Sequence, residues 1–540
     1  MTNGVEQELR EATDRILQSN SRKKLVVAGP GTGKTLLFRK LLEASPGEHD
    51  QRLVLTFIKN LRDDLERSLG DLAQTFTLHG YCQHLLYRHA ELRDGLSAKF
   101  RCYPGLVSLI KRDWEWLRDS QAPKFVEAMR HLECSDDHEG FYLDRADYYD
   151  AVDFDDSVYR TYRQLVEHPG LVPPYELVLI DEFQDFNKME AGVIDLLADR
   201  NAIVIIGDDD QALYSQLRSA SWDYIRSHYF GGEYEVFPLP FCMRCTEVIV
   251  EAVNDVIRTA RARTKLEGRI DKPYRFYEPI KGEDSRLYPK IDLVQTSVQR
   301  GNANYFGRYV ERVIRAIPEA DVREANNEQE PVALIIGSKP YLPQVEKYLI
   351  EVGLIAPNER DILSEREKGL EILRDNPKSN LGWRIILACG DESVAAERIC
   401  FASEQGLPLI EVIPEEERST VLQEAEQIAG GQGNEIEVVD APNDAMNIQL
   451  TSYEGSKGLS AQHVFLVGLH AGDLPRNPEQ IKDIEICRFV VGLTRTKKKC
   501  SLMLTKRFAG EARRPSPFLE WIDPGRCERI LVNAAYWRES

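Results

Sequence analysis

The stretch Ala28-Gly29-Pro30-Gly31-Thr32-Gly33-Lys34-Thr35 constrains this chain more than any other. It follows an apolar run, Leu25-Val26-Val27, that predicts a buried strand. It precedes Leu36 to Ala44, where Leu, Phe and charged residues recur at helical spacing. Strand, glycine turn and helix together make the setting of a phosphate-binding loop. Glycines at 29, 31 and 33 allow the backbone to curl until successive N–H groups face phosphate oxygens. Gly29, Pro30, Gly31, Thr32 and Gly33 would form the cradle. Lys34 would reach the β and γ phosphates, and Thr35 would offer its hydroxyl to Mg²⁺. Ala28 stands where the usual pattern has its first glycine.

A 540-residue chain has room for about two to four domains with full cores. The polar, acidic N-terminus has no apolar signal core and no run approaches a membrane span, so a cytoplasmic location without a membrane partner is expected. Ten cysteines are scattered, and one close pair, Cys242 and Cys245, lacks the second pair that a zinc or iron–sulfur site needs. Reduced thiols follow from that spacing. A net charge of −19 excludes a surface that coats polyanions generally. Any nucleic-acid contact must lie in a locally positive or aromatic cleft.

Along the chain, residues 1–24 read as an amphipathic helix leading into the first strand. Arg52 to Phe57 is a second apolar strand, followed by Ile58-Lys59-Asn60 and a helix from Leu61. From about residue 90 to 174 the texture becomes charged and helical, as in an inserted subdomain. Leu177 to Ile180 is a core strand that runs into Asp181-Glu182-Phe183-Gln184-Asp185. Carboxylates at the C-terminal end of a strand are where an α/β sheet presents groups to a nucleotide. Asp181 would hold Mg²⁺ through water and Glu182 would position the attacking water; a helix cap is the plainer use of such acids. Ala202 to Ile206 is another strand, ending in Gly207-Asp208-Asp209-Asp210-Gln211. Three aspartates in a row read as a solvated turn, but Gln211 beyond the strand end can sense a γ phosphate. A helix from Thr246 to Ala260 leaves the first lobe.

A second α/β block starts near Ile291, with a strand at Val332 to Ile336. A second mixed insertion spans residues 354–446 and contains a hinge-like Gly430-Gly431-Gln432-Gly433. The sheet resumes at Ile448 to Thr451, followed by Tyr453 and Glu454 to Leu459. Ser501 to Thr505 is expected to close it, with a short tail beyond.

In order, these motifs resemble those of superfamily 1 helicases of the UvrD/Rep/PcrA type, over roughly residues 25 to 520. The resemblance implies an α/β fold with two RecA-like P-loop NTPase lobes, mainly parallel sheets, and a helical insertion in each lobe. The first lobe would comprise residues 1–89 and 175–265 around the insertion 90–174. The second would comprise 266–353 and 447–540 around a reduced insertion, 354–446. ATP with Mg²⁺ would lie between the lobes. Arg244 and Arg495 match the family's arginine fingers, and Lys34, Asp181, Glu182 and Gln211 complete the catalytic set, with Gly458 at the nucleotide. Phe57, Asn60, His79, Tyr214, Trp222, Thr451 and Tyr453 match or replace contacts to single-stranded DNA or a single-strand/duplex junction. Family members move 3′ to 5′, and this chain would do so in repair or antiviral defence, beside a partner such as a separate nuclease. The alternative is a nucleotide-switched sensor or scaffold at DNA ends.

Departures from the family fall on base and ribose recognition. Cys242 and Met243 replace an Asn–Tyr pair whose tyrosine stacks on adenine; Ser460 replaces a ribose-reading glutamate; Tyr453 replaces a histidine. Neither Gln7 nor Gln18 has the spacing of the adenine-reading glutamine. The phosphate chemistry is intact, so hydrolysis with relaxed base selectivity is expected.

Overall fold

In the computed structural model, which describes residues 2–300, 303–357, 363–428 and 446–538, the apolar runs pair into two six-stranded sheets. Every strand in both is parallel to its neighbours. In the first sheet the order is Gln74–Thr77, Arg52–Thr56, Leu177–Ile180, Ile203–Gly207, Lys23–Ala28 and Glu235–Leu239. Helices cover both faces, which is why strands such as Leu177–Ile180 are apolar throughout instead of alternating. Parallel pairing has one decisive consequence. The turns after residues 28, 56, 180 and 207 all leave at the same edge, so motifs far apart in sequence converge there.

In the second sheet the order is Ile448–Thr451, Ala333–Gly337, Ala461–Val467, Thr496–Thr505, Ile291–Thr296 and Cys527–Val532. The last strand corrects the sequence expectation that Ser501 to Thr505 closes the sheet. It lies at the edge with Glu528, Arg529 and Leu531 exposed, so its pattern lacks a buried run. Helix Glu247–Ala262 is also assigned differently. Val248, Ile249, Ala252, Val253 and Val256 share a core with Leu334, Val464 and Leu466 of the second lobe, so the chain changes lobes soon after Leu239. It then reaches back. Arg269 pairs with Asp210 at 2.7 Å, Lys272 sits among Asp208, Asp209 and Asp210, and the Tyr274 hydroxyl donates to the Pro30 carbonyl at 3.1 Å.

The first insertion consists chiefly of helices Leu106–Arg118, Phe125–His131, Asp136–Tyr149 and Phe154–Glu167. The second has Glu365–Asp375, Asn380–Ala388, Glu392–Gln405 and Glu415–Gln427. The glycines at 430, 431 and 433 lie outside the described residues. The two insertions share a single hydrophobic core, in which Trp114, Phe125 and Tyr149 join Trp383, Ile385 and Leu409, continuous with one face of the first sheet. A buried carboxylate holds them together. Asp113 accepts from Arg145 at 2.7 Å and from Arg384 of the second insertion at 3.0 Å. Removing one partner from a buried ion cluster costs about 3–5 kcal/mol. Arg384→Ala should therefore loosen the second insertion by that order, read as new limited-proteolysis sites within residues 365–427. An unchanged digestion pattern would show that apolar packing alone suffices.

Candidate active site

The phosphate loop has the conformation its glycines permit. Gly31 and Gly33 have φ of 70° and 84°, in the left-handed region that side chains with a Cβ avoid. The fit is also tight. A Cβ at Gly31 would lie 2.4 Å from the Arg244 Cβ, and one at Gly29 would lie 2.8 Å from the Tyr274 ring. Thr32 closes the loop by donating to the Gly29 carbonyl at 2.9 Å. Helix Lys34–Ala44 starts at once, so its unpaired N–H groups face the cleft.

Between the lobes lies a cleft of about 560 Å³. It brings together Pro30, Gly31, Lys34 and Thr35, with Asp181, Glu182 and Gln211 from neighbouring strand ends. Arg244 enters beside Gly31, and the second lobe adds Gly458, Ser460 and Arg495. Every residue assigned a catalytic role from sequence lines this one space. Gly458, with φ of 85°, is pressed against Leu61, where a Cβ would lie 2.8 Å away, so glycine sets how closely the lobes approach.

Electrostatics organise the centre. Glu182 has φ of 55°, a strained conformation for a residue with a side chain, and it receives the Lys34 ammonium directly. Lys457 reaches across from the second lobe to Glu182 at 3.2 Å, to Asp185, and to the Gln211 carbonyl at 2.9 Å. Burial would raise the Glu182 carboxyl, but the two lysines hold it well below the usual range. Asp181 behaves oppositely: burial lifts it to about 6 in spite of Lys34, whose ammonium is 3.8 Å away. Its Oδ1 is buried without a hydrogen-bond partner. Beside it, Thr35 faces the cleft, so the pair fits a divalent cation.

The arginines are arranged for an anion. Arg495 is 2% exposed, yet among the described residues its guanidinium bonds only neutral acceptors: the Val491 and Leu459 carbonyls, the Thr494 hydroxyl, and Gln211 Oε1 at 3.1 Å. Burial and the neighbouring Arg244 depress it to about 10. Among the described residues Arg244 has no ion pair either. Gln211 is held in turn by Asp208, to which its amide donates at 2.9 Å.

The aspartate turn is not solvated as expected. Asp208, Asp209 and Asp210 are buried, and Lys272 lies 2.7, 2.9 and 2.8 Å from them, where a cation would otherwise sit. Lys272, Tyr274 and Lys457 are site residues that the sequence motifs do not single out. Only Lys457 had a signal, its place inside the Glu454-to-Leu459 motif.

The residues assigned to a nucleic-acid strand divide. Phe57 is 3% exposed, its ring 4.9 Å from Tyr214 and 5.5 Å from Phe186, with the Arg218 guanidinium 4.9 Å above it. A base cannot stack there unless Arg218 moves. Tyr453 is buried among Leu466, Val491 and Leu493, closed off because its ring fills the gap beneath Gly492. His79 is buried too, 2.8 Å from Arg218 and 3.2 Å from Glu190, and burial with Arg218 lowers it to about 3, leaving it neutral. Asn60 lines the interlobe cleft. Tyr214, Trp222 and Thr451 are half-buried, and the Tyr214 hydroxyl bridges the lobes by donating to the Glu454 carbonyl at 3.0 Å.

Beside Thr32 and Gly33, a smaller hollow of about 250 Å³ is lined by Leu9, Thr13, Leu36, Met243 and Tyr277. Glu6, Arg10 and Lys40 also line it, so its walls mix apolar and charged groups.

Comparison with known proteins agrees with this geometry. Residues 9–139 and 140–229 match the family model for the UvrD/REP helicase N-terminal domain. An ATP-dependent DNA helicase PcrA of Staphylococcus epidermidis is 23% identical over 420 residues, covering 66% of this chain and 54% of that protein. A PcrA of Staphylococcus aureus is 25% identical over 292 residues, covering 44% and 38%. The chain spans about half the length of the curated relatives it matches.

Proposed function

We propose that this chain is a UvrD/PcrA-type protein of helicase superfamily 1 and works as an ATP-dependent translocase and helicase on single-stranded DNA, moving 3′ to 5′. The observation that carries the reading is a pair of cations that, among the described residues, have no carboxylate partner: Arg244 beside the phosphate loop and Arg495 on the second-lobe side of the cleft. Burying the Arg495 guanidinium is costly unless an anion arrives to meet it. A triphosphate held by Gly29 to Thr35 would place its γ phosphate between that loop and these arginines.

The side chains then have distinct tasks. Lys34 leaves Glu182 for the β and γ phosphates, which frees one carboxylate oxygen to orient water. Arg244 and Arg495 meet the charge that develops on the transferred group. Gln211, bonded to both Asp208 and Arg495, reports the state of that group to both lobes. Thr35 and Asp181 would hold Mg²⁺, which when bound neutralises phosphate charge. Lys457 stays bonded to Asp185 and Glu182 until the second lobe shifts, so lobe movement and the water-orienting carboxylate are linked. Alternate closing and opening of the cleft would let the lobes grip and release a strand.

A second reading is favoured by the closed state of Phe57 and Tyr453 and by the fusion of the two insertions. It is a nucleotide-switched sensor at DNA ends, working in repair or antiviral defence beside a nuclease, with little unwinding. Single-turnover movement along an end-labelled strand separates the two readings, since a sensor would show none.

The primary test is turnover of ATP and GTP by wild type and Lys34→Ala, with and without single-stranded DNA. Turnover should rise with DNA and vanish in the variant. ATP and GTP should differ by less than about tenfold, because Cys242 and Met243 stand where the family's base-stacking pair would be. Full activity in Lys34→Ala would remove the assignment, and strong preference for ATP would refute the relaxed base reading alone.

A further inference from the structure

Cys242 and Cys245 bracket Arg244, and the mechanism above uses neither. Both are fully buried, in the bend that precedes helix Glu247–Ala262. The bend folds them together. The Cys245 N–H donates to Cys242 Sγ at 3.5 Å. Each sulfur also touches the machinery of the cleft. A Cβ at Gly31 would lie 3.2 Å from Cys242 Sγ, so that sulfur lies directly beneath the phosphate loop. Cys245 Sγ donates to the Thr494 carbonyl at 3.7 Å, one residue before Arg495.

We propose that Cys242 and Cys245 are a reversible dithiol switch whose disulfide displaces Arg244 and shuts off nucleotide turnover. The inference rests on the reading of Arg244 as a finger. The C-x-x-C spacing allows a bond across one short turn. Closing it would draw the two sulfurs together, turn the intervening Met243-Arg244 peptide, and release Cys245 from Thr494. Both arginine positions would feel the change, because Arg244 lies inside the loop and Thr494 adjoins Arg495.

The chemistry is asymmetric in the required sense. Burial would raise the Cys242 thiol, but hydrogen bonds from Cys245, Tyr274 and the backbone amides of Cys245 and Arg244 bring it down to about 6. Cys245 moves the other way: its hydrogen bond to Cys242 and its burial keep it protonated. The enclosed position favours a small oxidant, and hydrogen peroxide is the one intended here. The Cys242 thiolate attacks one peroxide oxygen, forming a sulfenic acid and expelling hydroxide. The Cys245 sulfur then attacks Cys242 Sγ, forming the S–S bond and releasing water, with its thiol proton leaving on that water. Two electrons pass from the sulfurs to the peroxide.

The test uses the full chain, reduced and then exposed to hydrogen peroxide, with peptide mass mapping and turnover measured on the same sample. A link between Cys242 and Cys245 is expected, with at least about a tenfold loss of turnover that dithiothreitol restores. Cys245→Ser should remain active and resist peroxide. The switch is overturned if no such link maps, if it maps with turnover unchanged, or if Cys245→Ser loses activity to peroxide as wild type does. Absence of turnover in the reduced wild type would instead refute the functional reading. Weakened binding of a fluorescent ATP analogue after oxidation would then report the displacement of Arg244, and unchanged binding would overturn it.

Discussion

Arg495→Ala is expected to lower nucleotide turnover by about 10³- to 10⁵-fold, the range an arginine finger contributes to phosphoryl transfer. Nucleotide affinity should change far less, because Lys34, the loop amides and Arg244 still hold the phosphates. The structural case is specific. Arg495 belongs to the second lobe, is buried, and has spent none of its charge on a carboxylate. Its bond to Gln211 Oε1 joins it to the glutamine at the end of strand Ile203–Gly207, so it acts only when the lobes are together. Arg495→Lys should recover little, since an ammonium cannot bond Gln211, Leu459 and a phosphate oxygen in the same fork. Single-turnover hydrolysis with a separate binding titration distinguishes lost chemistry from lost affinity. Turnover within about tenfold of wild type would leave Arg495 as a purely structural tie between the lobes.

Glu182→Gln should be nearly as damaging, by about 10²- to 10⁴-fold, with binding preserved or tightened. The amide keeps the shape of the carboxylate but cannot accept a proton from the attacking water. Its effect on binding follows from the resting structure, where Glu182 occupies both Lys34 and Lys457. Removing that charge frees Lys34 for phosphate, while Asp181 and Asp185 still face the two lysines, so the fold should persist. The measurement is trapping of labelled nucleotide together with its hydrolysis. Loss of nucleotide binding, or loss of cooperative unfolding, would argue that Glu182 is chiefly an ion-pair anchor.

The outcome at each residue follows from the range of the forces involved. The phosphate loop was legible because its requirements are local: left-handed backbone at Gly31 and Gly33, and a helix that must begin at Lys34. The core strands were legible for a similar reason, since a strand buried on both faces has to be apolar at every position. Edge strand Cys527–Val532 escaped because one exposed side removes that demand. The aspartates at 208, 209 and 210 read as a solvated turn because nothing near them in sequence neutralises them; Lys272 arrives from across the fold.

By itself, then, the sequence determined the chemistry available to this protein: a phosphate cradle, acids at strand ends, two arginines and their order along the chain. Only the tertiary structure decided which of these groups meet. It paired Lys34 and Lys457 with Glu182, left Arg244 and Arg495 without carboxylates among the described residues, and sealed Phe57 and Tyr453 from solvent. The physical reason is that burial and pairing of charge depend on contacts between residues hundreds of positions apart, which parallel sheet topology brings to one edge and no local pattern records.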